Sequence, residues 1–105
     1  MNINKFNLYV GLNDKTTKRQ EISTIEAYKL ITNIIVANDV EGFTILEANG
    51  YYVHEDKTIS IEKSLKIEMM FIDLEVVQNI IKDIKRALNQ ESIILQTEKI
   101  KSELV

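Results

Sequence analysis

Phe6, Leu8, Val10 and Leu12 alternate with Asn7, Tyr9 and Gly11. A period of two predicts a half-buried strand. A polar loop from Asn13 to Gln20 follows, carrying Lys15, Lys18 and Arg19. Ser23-Thr24-Ile25-Glu26 has the form of a capping box, and Ile25, Tyr28, Ile31, Ile34 and Ile35 then take helical spacing. This helix is expected to stop between Ala37 and Glu41. Phe43 to Ala48 reads as a second strand, with Asn49-Gly50 as a turn or bulge signal. Tyr51 to His54 can extend it, Glu55-Asp56-Lys57 turns the chain, and Ile59 and Ile61 can pair back. Leu65 to Ile72 is the most apolar stretch and predicts a central strand. Asp73 is placed to cap a second helix whose apolar positions are Leu74, Val77, Ile80, Ile81, Ile84 and Leu88, with Asn89 as its stop. Ile93 to Gln96 reads as the last strand. Residues 1–97 are taken as one domain, and 98–105 as a frayed tail or short helix.

The order strand, helix, strand, strand, helix, strand specifies an α+β fold. Right-handed crossovers make each strand-helix-strand unit parallel, with another strand inserted between its two strands. The expected result is a ferredoxin-like βαββαβ domain. Its four-stranded antiparallel sheet has the order 4-1-3-2, with both helices on one face. In that wiring the ends of strands one and two lie beside the starts of strands three and four. Gly11, Asn13, Asn49, Gly50, Glu62, Ser64, Gln90, Glu91 and Ser92 should then gather at one edge.

This edge is the candidate binding site. Lys15, Lys18 and Arg19 would meet the charge of a small anionic ligand. The amides at the start of the first helix, near Ser23, would favour the same charge. Asn49, Glu62, Ser64, Gln90 and Glu91 would read its polar groups. The same residues could instead serve only to cap strand ends and satisfy turn backbone. On the sheet face away from the helices, Tyr9, Met70, Ile72 and Ile94 are expected to form an apolar surface that a dimer or larger homo-oligomer covers.

Composition narrows the chemistry. In 105 residues there is no cysteine and one histidine, so thiolate chemistry is excluded and neither a cofactor nor a metal is expected. No apolar run reaches the roughly 18 residues needed to span a membrane, and the first residues lack a secretory core. The expectation is a cytoplasmic protein, in the host cytoplasm if it is phage-encoded. A net charge of −3 argues against general nucleic-acid binding. His54 reads as surface, and Met69-Met70 as core packing. Tyr51-Tyr52 reads as one core and one surface ring. Lysine exceeds arginine, isoleucine and asparagine are abundant, and proline and tryptophan are absent, as codon bias in an AT-rich genome produces.

Phe43-Thr44-Ile45-Leu46-Glu47-Ala48-Asn49-Gly50, the pair Glu62 and Ser64, and Gln90-Glu91-Ser92-Ile93-Ile94-Leu95 resemble segments of an uncharacterised bacterial family of small single-domain proteins, a domain of unknown function. Leu8-Tyr9-Val10-Gly11-Leu12 resembles its first strand. The resemblance implies the ferredoxin-like fold and no particular activity. A fainter one links Met1-Asn2-Ile3-Asn4 and Lys101-Ser102-Glu103-Leu104 to the termini of small anti-CRISPR proteins from phages of low-GC bacteria. Three functions follow as expectations. The first is a non-enzymatic phage or mobile-element protein that counters host defence by sequestering a nucleotide immune signal. The second is an anti-CRISPR-like inhibitor that binds a host defence protein through its sheet face or acidic surface. The third is a small enzyme using Glu62 and Glu91.

Overall fold

Phe6, Leu8 and Val10 from one strand, and Leu65, Ile67 and Met69 from another, are at most 2% exposed. These six alternate positions share one sheet face, which is why two helices pack there and nowhere else. The computed structural model describes residues 2–105. Its elements are β1 (Asn2–Gly11), α1 (Thr24–Ala37), β2 (Thr44–Val53), β3 (Ile59–Met70), α2 (Leu74–Leu88) and β4 (Ile94–Lys101). All three strand pairings are antiparallel and the order is β2-β3-β1-β4, the ferredoxin-like arrangement that the element order predicts.

The helices close the core with Ala27, Ile31 and Ile35 from α1 and Val77, Ile80 and Ile84 from α2. Full burial of such a side chain stabilises by roughly 1.5–3 kcal/mol. Neither β2 nor β4 contributes a fully buried residue, as suits edge strands. The Ser23 hydroxyl caps α1 by accepting the Glu26 amide at 3.1 Å. At its other end, Asn38 Nδ2 donates to the Ile34 carbonyl at 2.8 Å and to Asp83 of α2 at 3.3 Å, tying the helices together. Asp73 precedes α2 without a side-chain cap bond, and Asn89 ends it in the left-handed region at φ 49°.

Three local expectations give way. Asn49-Gly50 is not a turn: β2 runs straight through it in unbroken register, with Gly50 opposite Glu62, and the chain reverses at residues 54–58. Ten consecutive cross-strand pairs outweigh a dipeptide preference. Glu98 to Lys101 are strand rather than frayed tail or helix, because β1 begins at Asn2 and offers them an edge, with Ile100 opposite Ile3. Ile72 does not continue the alternation of β3. Phe71 adopts φ 58°, the strand stops at Met70, and Ile72 turns in to pack against the core.

The face away from the helices is also more polar than expected. Asn7 is 1% exposed there, its Nδ2 donating to Glu98 Oε1 at 2.7 Å. Glu68 bridges Lys5 at 3.2 Å and Lys66 at 3.3 Å, and these ammonium groups hold its carboxyl below the usual range. Tyr9, Met70 and Ile94 therefore do not form one apolar sheet. Met70 lies at the far end, in contact with Ser102. No helix among the described residues is long and apolar enough to cross a membrane.

Candidate functional site

Regular pairing along β1, β2 and β3 brings Gly11, Ser64 and Ala48 into one cross-strand row. Glu62 sits opposite Gly50 one step further along. Beyond this row β1 ends, and the chain leaves it through Leu12, whose amide donates to the Lys63 carbonyl at 3.0 Å. The missing side chain of Gly11 has a specific use. A Cβ built there would stand 2.5 Å from Glu62 Oε2 and 2.7 Å from its Cδ. The Glu62 carboxylate lies across the bare backbone and accepts the Asn13 amide at 2.9 Å. Asn13 in turn presents its carbonyl to Gln90 Nε2 at 2.6 Å, and Gln90 is 7% exposed. A carboxylate from β3, a backbone turn after β1 and a buried amide after α2 thus form one linked unit.

Around this unit is a recess of about 860 Å³ on the strand-end edge, continuing over the sheet face away from the helices. Lys15, Lys18, Asn49, Glu62, Ser64, Gln90 and Glu91 all line it, so seven of the eight residues selected from sequence share one concavity. Arg19 does not line it; its Nε turns to Glu21 Oε1 at 3.4 Å. The start of α1 is also outside the recess, and Ser23 satisfies an exposed amide of that turn itself. Tyr9 and Ile94, expected in an oligomer contact, also line the recess.

The loop that carries the lysines is tied down. Asn13 pairs with Gln20, the Asp14 amide donates to the Arg19 carbonyl at 2.8 Å, and Lys18 turns the chain at φ 63°. Asn89 clamps the loop to the end of α2. Its Nδ2 donates to Asp14 Oδ1 at 3.0 Å and to Thr16 Oγ1 at 3.1 Å, and its carbonyl accepts the Lys15 amide at 3.0 Å. The Thr16 and Thr17 amides, with Asn89, hold the Asp14 carboxyl below its ordinary 3.8. A depressed folded-state value means that this contribution is complete above the unfolded-state value and fades as pH falls through the folded one. Hydrogen exchange at the Thr16 and Thr17 amides should accordingly be slow at pH 6. Asp14→Asn, which weakens the acceptor, should accelerate it at that pH; unchanged exchange would contradict the clamp.

Sequence reading missed the wall that the hairpin supplies. Tyr52, His54 and Ser60 also line the recess. His54 Nε2 is 2.7 Å from Ser60 Oγ, and the Tyr52 and His54 rings meet edge-on at 5.1 Å between centroids. The signal was present as parity: Tyr52 and Gly50 on β2, and Ser60, Glu62 and Ser64 on β3, all fall on the same face. It was hidden by treating Asn49-Gly50 as a turn. Among the described residues no group of three or more His, Cys, Asp or Glu is placed to hold a metal ion.

A fold of this wiring, with a polar recess at the edge where β1 and β2 end, defines a ferredoxin-like α+β protein. The chain belongs to the family described as "Protein of unknown function (DUF3574)", whose model matches residues 5–103. No curated protein matches it. Among solved structures it is similar to a phage SAM lyase in complex with S-methyl-5'-thioadenosine, at 17% identity and TM-score 0.63, covering 98% of this chain and 92% of that one. It is similar to a GlnK–ATP complex from B. subtilis, at 15% identity and TM-score 0.61, covering 94% and 82%. It is similar also to CPII, a nitrogen regulatory PII-like protein from Thiomonas intermedia K12 bound to ADP, AMP and bicarbonate. There the identity is 13% and the TM-score 0.58, covering 100% and 97%. At these identities the likeness is one of fold.

Proposed function

We propose that this protein binds a small anionic metabolite of the nucleotide class in the strand-end recess. The observation that carries the reading is the Glu62–Asn13–Gln90 unit: a carboxylate held in place across a glycine, at the floor of a recess of about 860 Å³. Ligand pockets commonly measure roughly 300–1,000 Å³. Glu62 spends Oε2 on Asn13 and presents its other oxygen to hydroxyl or amino donors of the ligand. Lys15 and Lys18 supply the positive charge for phosphate, and Tyr9 and Tyr52 supply rings against which a base can stack. Two of the solved structures named above support the class, since they hold ATP or ADP with AMP, and the third holds an uncharged adenosine derivative, S-methyl-5'-thioadenosine.

The reading extends to a non-catalytic role: sequestration of a nucleotide signal by a phage or mobile-element protein in its host's cytoplasm. An amino-acid composition of the kind that AT-rich genomes produce, and a phage protein among the structural neighbours, support that setting. Inhibition of a host defence protein through the sheet face finds less support, because the centre of that face is occupied by Lys5, Asn7, Lys66, Glu68 and Glu98.

A thermal-shift screen with adenosine and guanosine nucleotides tests the reading. At a hundredfold excess over Kd a bound ligand adds about 2.7 kcal/mol of stability. That corresponds to a rise in Tm on the order of 10 °C for a domain of this size. The nucleotide should be recovered chemically unchanged. No shift with any nucleotide contradicts the ligand class, and a turned-over nucleotide contradicts the non-catalytic role.

A further inference from the structure

Of the three glycines in the chain, Gly42 lies in the loop before β2, and Gly11 makes room for the Glu62 carboxylate. Gly50 does neither. β2 passes through it in unbroken register, opposite Glu62, and its φ is not in the left-handed region. A Cβ built on it would meet nothing nearer than the Glu62 carbonyl oxygen at 3.7 Å, an ordinary contact. Glycine inside a strand is less stable than alanine, because it loses more chain entropy on folding and packs no side chain. At Gly50 neither the backbone conformation nor the packing of the protein asks for it.

Parity puts the missing side chain on the recess side of the sheet, in line with Ala48 and Tyr52 and across from Glu62. Glu62 leans the other way, over Gly11 towards Asn13, so the Gly50 backbone is left bare and exposed. Charge divides the recess along the same line. Asp14, Lys15, Lys18 and Glu91 stand beyond Glu62, on the side of β1 and β4. Asp14 is taken up by the Thr16 and Thr17 amides and by Asn89, and Glu91 is free to accept from sugar hydroxyls. On the β2 side, Ala48, Gly50, Tyr52 and Ser60 carry no charge, and His54 is bonded to Ser60. The phosphates of a nucleotide belong with the lysines, and its uncharged ring belongs on the β2 side. Bare strand backbone lets the face of a ring approach to van der Waals distance, which any Cβ would prevent. We propose that Gly50 is the platform on which the base of the bound nucleotide lies flat, with the Tyr52 ring beside it. The inference rests on the nucleotide reading of the recess and adds to it the residue that admits the base.

Calorimetric titration and melting of the full chain test the proposal, with the tightest-binding adenosine or guanosine nucleotide as the probe. Gly50→Ala should weaken binding at least tenfold, and Gly50→Val further. Both variants should melt at or above the native Tm, because either residue suits a strand better than glycine. Affinity lost without stability lost is what a platform gives and a structural glycine does not. Tyr51→Ala, one residue on and facing the other side of the sheet, should bind as the native chain does. In the native complex, nuclear Overhauser contacts should join the Gly50 α-protons to the ring protons of the base. Native affinity in Gly50→Val overturns the proposal and leaves nucleotide binding standing. A lowered Tm in Gly50→Ala also overturns it, since the fold itself would then need the glycine. So do contacts that place the base ring elsewhere in the recess. A native chain that binds no nucleotide fails the reading of the recess itself, and the platform with it.

Discussion

Replacing Ile67 by alanine should lower stability by about 3 kcal/mol, within the 2–5 kcal/mol range of such truncations. Ile67 is fully buried in the strand that lies between β1 and β2, directly opposite Leu8 and Ile45. Its neighbours relax only partly into the space it leaves, because the register of two strand pairings holds them. A domain of this size has a total stability of roughly 5–15 kcal/mol. The loss should bring Tm down by on the order of 15 °C, with the slope of a urea transition unchanged. Ile94→Ala is the matched control: its side chain is 60% exposed, and the change should stay within about 0.5 kcal/mol. Equal losses from the two substitutions would mean that the face assignment of the sheet is wrong.

Gly11→Ala should leave the fold intact and remove most of the affinity of the recess. The added methyl would occupy space 2.5–2.7 Å from the Glu62 carboxylate, so the carboxylate must swing away and release the Asn13 amide. The end of a glutamate chain moves readily, so the cost in stability is limited to about one hydrogen bond, roughly 1 kcal/mol. The ligand loses an acceptor worth roughly 1.5–3 kcal/mol for a charged hydrogen bond, a fall in affinity on the order of 10- to 100-fold. Glu62→Gln keeps an oxygen for Asn13 and so the fold's hydrogen bond, but turns an NH2 donor toward the ligand's own donors and should lose as much affinity. Calorimetric titration with the best nucleotide from the screen measures both. Wild-type affinity in Gly11→Ala would show that Glu62 in its observed position takes no part in binding.

The sheet order and the alignment of both helices were legible in the sequence because each rests on a period. Alternation through Phe6, Leu8 and Val10 marks the core face of β1, and the spacing of Val77, Ile80 and Ile84 marks that of α2. The gathering of Glu62, Ser64, Gln90 and Glu91 was legible too, since the wiring alone carries distant residues to one edge. What remained hidden depends on partners far away in the chain. Glu98 to Lys101 carry little strand signal of their own and become strand because Asn2 to Lys5 lie beside them. The left-handed turn at Phe71, which withdraws Ile72 from the outer face, is adopted by a residue type that rarely takes it. The burial of Asn7 follows from a hydrogen bond to Glu98, 91 residues away. Arg19 was grouped with Lys15 and Lys18 by nearness in sequence, yet the bridge between Asn13 and Gln20 turns that end of the loop elsewhere.

Amide chemical-shift mapping during a titration with ATP addresses the recess most directly. Binding there should move the resonances of Gly11, Asn13, Glu62, Ser64, Gln90 and Glu91 together, with Lys15 and Lys18 following the phosphates. The groove at the other end of the domain, lined by Phe71, Asp73 and Leu104, should stay still. Shifts confined to that groove, or none at saturating nucleotide, would contradict a ligand site at the edge where β1 and β2 end.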